Sequence, residues 1–175
     1  MTIKELILLV LADVLADNLA FEKLFGITDV VGNAGKSGKL WQFGLTTAAV
    51  MVVAEAIAWP LGQILPGYLS TLVLVALVLI LAWVAEKVTK QKLFALIALN
   101  AAVFGALLSL GAAGYGFGAS VLAALGMGLG FTLALILMSG VQSRIDEHYV
   151  PESFRGLPVS VLAAAIIAMA LVAFK

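Results

Sequence analysis

The sequence predicts an all-α integral membrane protein: six transmembrane helices arranged as two inverted three-helix repeats, with spans 1 and 4 interrupted. Three observations lead there. The 175-residue chain is 63% hydrophobic and 11% charged, with mean hydropathy +1.16, whereas a soluble domain is nearer half apolar and a quarter charged. Six apolar stretches approach the roughly 20 residues that a membrane-crossing helix needs. Two of them carry an asparagine at matching places, in "LADNLAFEKLFG" (Leu15–Gly26) and "LIALNAAVFG" (Leu96–Gly105).

Span 1 covers Ile3–Phe21. One lysine followed quickly by Glu5 and Asp13 makes a poor signal peptide, so it reads as a retained helix. The polar, flexible "GNAGKSGK" (Gly32–Lys39) leads to span 2, Leu40–Ile64. "PLGQILPG" (Pro60–Gly67) joins two prolines to two glycines and favours a turn before span 3, Tyr68–Glu86, whose end sits beside Lys87 at the interface. Span 4, Leu93–Ala113, is separated from span 5, Phe117–Gln142, by the glycine-rich "GAAGYGFG". "RIDEHYVPESFRG" (Arg144–Gly156) is the most polar segment and must leave the membrane before span 6, Leu157–Phe174. The chain is one transmembrane domain, 1–175, with repeat halves of about 1–88 and 89–175.

Charge orients the spans. The loops after spans 1, 3 and 5 hold Lys23, Lys36, Lys39, Lys87, Lys90, Lys92, Arg144 and Arg155, while those after spans 2 and 4 hold no Lys or Arg. The positive-inside rule puts the basic loops in the cytoplasm and both termini outside. Because three spans separate Asn18 from Asn100, the two halves run in opposite directions. That is the architecture in which transporters place interrupted helices near the midplane, where half-helix ends hold an ion or a cofactor. Membrane asparagines also tie helices together through amide hydrogen bonds.

The intramembrane acids are the other candidates. Asp13 and Asp17 are four apart, which puts them on one face of span 1. Glu55 lies in the second half of span 2. A charge at the bilayer centre costs several kcal/mol, so such residues face a protein interior or a water path, or are protonated. Asp17, Asn18, Asn100 and Glu55 are therefore ion-path or central-site candidates. Asp13 is another, unless it lies close enough to the outer surface to be hydrated.

Other chemistries are excluded. Without cysteine there are no disulfides, thiolate metal sites or cysteine nucleophiles, and the lone histidine, His148, reads as a solvated loop residue. No basic tract points to nucleic acid. "GMGLGF" (Gly126–Phe131) follows no strand, so it is not a nucleotide loop; Gly126 and Gly130 instead have the GxxxG spacing of close helix packing. No catalytic constellation is present.

"DNLAFEKLFGIT", "LIALNAAVFG", "YGFG" and "VPESFRGLPVSVLAAAIIAMAL" resemble the Rnf/Nqr family, the paired six-helix membrane subunits of the Rnf complex and of the sodium-translocating NADH:quinone oxidoreductase. The resemblance covers nearly the whole chain. The loop between spans 3 and 4 is shorter than the family norm, and Ala95 stands where the family usually has proline. In the family, each member of the pair supplies two cysteines to a 2Fe-2S cluster within the membrane, and the two members insert in opposite directions. The matching positions here are Thr28 and Ala101, and neither is a thiolate ligand.

The resemblance thus implies the fold without the cluster. This chain would be a membrane subunit of an electron-transport complex of the bacterial or archaeal cytoplasmic (inner) membrane. It would contribute to ion translocation or assembly, with no cofactor and no catalytic residues of its own. Its expected partners are membrane lipid, a homologous subunit or a second copy of itself, and redox subunits. The alternative is a stand-alone homo-oligomeric proton, cation or small-solute transporter or channel on the same fold. A non-transporting membrane scaffold is a third reading, against which Asp17 and the two asparagines count.

Overall fold

The computed structural model describes residues 3–33, 40–89, 97 and 100–174. Among the described residues the helices are, in order, α1 (Ile3–Val14), α2 (Ile27–Asn33), α3 (Leu40–Ile64), α4 (Gly67–Thr89), α5 (Ala101–Ala113), α6 (Phe117–Gln142) and α7 (Leu157–Leu171). A 3-10 turn, Val172–Phe174, continues α7, and two more, Glu147–Tyr149 and Glu152–Phe154, shape the polar loop before it. No strand occurs among the described residues.

Among the described residues, four segments are long and apolar enough to cross a membrane: Leu40–Ile64, Leu69–Thr89, Phe117–Gln142 and Leu157–Phe174. These coincide with expected spans 2, 3, 5 and 6. The 12 residues of α1 and the 13 of α5 reach only about 18–20 Å at 1.5 Å per residue. Neither alone crosses a hydrocarbon core of about 30 Å. Both lie where the sequence marks an interruption.

Three expectations are corrected. Span 1 does not run as a helix to Phe21; it stops at Val14, and an irregular segment through Gly26 leads into α2. Asp17 consequently lies beyond the helix and is exposed, while Asp13 is buried, so the two do not share a helix face. Pro60 lies inside α3, and the turn is confined to Leu65 and Pro66. The first part of span 4, including Ala95, and Lys36, Lys39, Lys90, Lys92 and Lys175 lie outside the described residues.

The bundle is built around α6, which packs against α1, α2, α3, α5 and α7. Its glycines allow this. A methyl group on Gly126 would sit 2.9 Å from the Asp13 Cβ, and one on Gly130 would sit 2.9 Å from the Asp13 carbonyl oxygen. One on Gly128 would meet the Ala48 Cα of α3 at 2.6 Å, and Gly44 of α3 receives the Thr132 side chain of α6 in the same way. The GxxxG spacing thus serves close packing, in a setting where van der Waals contact replaces the hydrophobic effect as the force between helices. Phe131 of α6, fully buried, meets Phe43 edge-to-face at 6.1 Å. At one end of the bundle, the Gln142 amide donates to the Val31 carbonyl of α2 at 2.9 Å and to the Ser160 hydroxyl of α7 at 3.1 Å. Helices α4 and α7 leave most of their apolar side chains on the outside, as a lipid- or subunit-facing surface requires.

Gly130→Ala is expected to push α1 off α6 and lower stability by about 1–3 kcal/mol. Gly118→Ala, where a methyl group meets nothing within 4 Å, leaves stability unchanged. Thermal unfolding of the two variants in the same detergent compares them directly.

Candidate functional site

The irregular segment between α1 and α2 needs an explanation, because "VLADNLAFEK" has neither proline nor glycine to stop a helix. The Asn18 side chain supplies it. Its Nδ2 donates to the Val14 carbonyl at 2.8 Å, closing the end of α1, and to the Gly130 carbonyl of α6 at 2.9 Å. Its Oδ1 accepts from the Ala20 amide at 3.0 Å and the Phe21 amide at 3.3 Å. The full hydrogen-bonding capacity of one carboxamide is thereby used, with Asn18 only 1% exposed.

Other amides of the segment bond backbone carbonyls close by, as burial away from water favours. The Asp17 amide reaches back to the Ala12 carbonyl at 2.8 Å, Glu22 to that of Asn18 at 2.8 Å, and Phe25 to that of Leu19 at 3.0 Å. Leu24 (φ 58°) and Gly26 (φ 73°) then turn the chain left-handed into α2. Leu19, Ala20 and Phe21 are buried, so the break lies inside the molecule.

The second interruption meets the first. Asn100 caps α5, its Oδ1 accepting from the Ala102 amide at 2.8 Å. A methyl group on Gly26 would lie 2.7 Å from the Ala102 Cβ and 3.1 Å from the Asn100 Oδ1. The Phe25 ring lies over Gly105, where any Cβ would collide with it. Phe131 forms the floor, 3.0 Å from the same position on Gly26. The structure therefore joins Asn18, Gly130, Gly26 and Asn100 into one packed junction of α1, α2, α5 and α6. Two buried polar atoms near it have no hydrogen-bond partner among the described residues: Asn100 Nδ2 and Asp13 Oδ2.

The other candidates fall elsewhere. Asp17 is exposed beside the break. Thr28, in the first turn of α2, and Ala101, the first residue of α5, are both exposed. Neither offers a thiolate, so the residues at these positions do not fit an iron–sulfur cluster. Glu55 is 3% exposed on α3 and accepts a 2.5 Å hydrogen bond from the Ser120 hydroxyl of α6. Neither asparagine borders the cavity that Glu55 lines. His148 is exposed in the polar loop, as expected.

Sequence reasoning missed Ser120 and the Gly130 carbonyl. Both are long-range partners, 65 and 112 residues from Glu55 and Asn18, and no local spacing announces them. The Phe25–Gly105 contact had a faint signal in the Phe and Gly that accompany each asparagine.

A family model described as "Rnf-Nqr subunit, membrane protein" matches residues 6–175. The chain is 31% identical, over 98% of its own length and 96% of the relative's, to the A subunit of the ion-translocating oxidoreductase complex of Syntrophotalea carbinolica. It is 29% identical to the protein of the same name from an Azoarcus species, over 97% and 96%. With the A subunit of the Na(+)-translocating ferredoxin:NAD(+) oxidoreductase complex of Acetobacterium woodii, the identity is 26% over 97% and 96%.

Replacing Asn18 with Ala strands two carbonyls and two amides in a dry interior, so a stability loss of about 2–4 kcal/mol is expected. Asn100→Ser keeps the cap and removes the unpartnered amide, so its cost stays below about 1 kcal/mol. Equal losses in denaturant unfolding of the two variants would contradict this assignment.

Proposed function

The chain belongs to the Rnf-Nqr family of membrane subunits, and on that premise we propose that it is a membrane-embedded component of an ion-translocating oxidoreductase complex. The observation that carries the reading is the near end-to-end match, in both directions, to the A subunits of such complexes. The apolar helices suit a multi-pass place in the bilayer. In this reading the chain is a six-span inverted repeat in the cytoplasmic membrane, with both termini outside and the basic loops within. It pairs with a homologous subunit or a second copy of itself, through the surface where Thr28 and Ala101 are exposed.

With no cysteine in its sequence, this chain holds no cluster of its own and carries out no redox step. Asn18 and Asn100 shape the central junction, and Asp17, Glu55 and Asp13 are the acids of the ion path, where intramembrane carboxyls are costly unless they serve it. The stand-alone transporter is not favoured, because the similar relatives are named as subunits of complexes.

Gentle extraction of the tagged protein from its own host's membranes, followed by native mass spectrometry, tests this. Co-purification with flavin and iron–sulfur subunits is the expected result; a cofactor-free homo-oligomer overturns the assignment. Within the intact complex, Asp17→Asn and Glu55→Gln are each expected to lower redox-driven cation uptake several-fold without changing subunit composition. Unchanged uptake in both would remove these acids from the path.

A further inference from the structure

At the end of the bundle formed by the turns after α3 and α5, a cavity of about 290 Å³ enters between α3, α4 and α5. Gln63, Ser70, Gly111 and Tyr115 are among the residues that line it. Trp59 fixes one wall, its indole donating to the Tyr115 carbonyl at 2.9 Å. Of the residues lining it, Glu55 lies deepest along α3, nine residues before the last one of that helix. The space suffices for a group of water molecules, and its polar lining supplies them with partners.

Charge around Glu55 is sparse. Helices α5 and α6 contain no Asp, Glu, Lys, Arg or His, and α3 contains none other than Glu55. Helix α4 carries charge only at Glu86 and Lys87, in its last turn, far from the cavity mouth. Among the described residues, Tyr115 is the only other titratable one that lines the cavity. The carboxyl therefore has one fixed partner, the Ser120 hydroxyl on Oε1, and no cationic side chain among the described residues of the walls. A bare metal cation asks for about six oxygen ligands, usually with more than one carboxylate among them, and Glu55 is the only acid among the described residues that line the cavity. A proton needs the carboxyl alone, and its arrival removes the charge that burial penalises.

We propose that Glu55, positioned by Ser120, is a proton-binding site at the closed end of a water-accessible half-channel that opens on the side away from the basic loops. This deepens the ion-path role proposed above and rests on that reading for its purpose. The step is proton exchange alone: the carboxyl takes a proton from cavity water and returns it there.

The test uses the intact complex in isolated membranes and a small water-soluble carbodiimide, which couples to protonated carboxyls. Adducts are located by peptide mass spectrometry. The expected result is an adduct on Glu55 that falls about tenfold per pH unit above its midpoint and does not change when sodium is added at fixed pH. Gly111→Phe, at a position where a side chain meets open space within the cavity, is expected to cut labelling at least fivefold. Absence of the adduct at every pH, protection by sodium, or full labelling in Gly111→Phe would each overturn the proposal. If labelling behaves as expected while Glu55→Gln leaves redox-driven uptake intact, the proton site stands and only the ion-path role fails.

Discussion

A chain that stops being helical inside a membrane protein exposes amides and carbonyls to a medium that cannot hydrate them, and the Asn18 carboxamide meets that constraint here. One side chain ends α1, bridges to α6 and holds the Ala20 and Phe21 amides of the segment that follows. The rest of the core is arranged around this. Gly126 and Gly130 let α1 approach α6 closely enough for the Asn18–Gly130 bond. The left-handed turn at Leu24 and Gly26 lays the segment across α5. The paired interruptions are thus one junction rather than two separate sites.

The junction is built without any thiolate, since the chain has no cysteine. Its packing and hydrogen bonds come from Asn18, Asn100, Gly26, Phe25 and Phe131, none of which needs a thiolate beside it. Thr28 and Ala101 stand exposed at its edge, so the frame stays whole whatever occupies those two positions. The polar capacity of Asn18 is fully committed to the backbone, whereas Glu55 faces a cavity. The two buried polar side chains therefore differ in setting: one is bonded to backbone on every side, the other borders open space.

Much of this was legible in the sequence. Four spans follow from uninterrupted apolar length, and the glycine spacing of "GMGLGF" announces close packing. The two asparagines marked the interruptions. The point at which α1 ends was not legible, because "LADNLAF" is locally compatible with helix and the group that favours the break, the Gly130 carbonyl, lies 112 residues away. The same cause misplaced Asp17, since the four-residue rule holds only while the helix continues. Ser120 was invisible for a related reason: a serine within an apolar helix usually bonds its own backbone, and only the tertiary fold brings it to Glu55.

The most direct test of the central claim is hydrogen exchange of the amides of residues 19–26 in lipid nanodiscs, compared with those of α6 and repeated for Asn18→Ala. Slow exchange in the native protein, approaching that of α6 and lost in the variant while α6 stays protected, is the predicted result. Fast exchange in the native protein, or protection that survives the substitution, would show that the Asn18 carboxamide is not what holds the interrupted helix together.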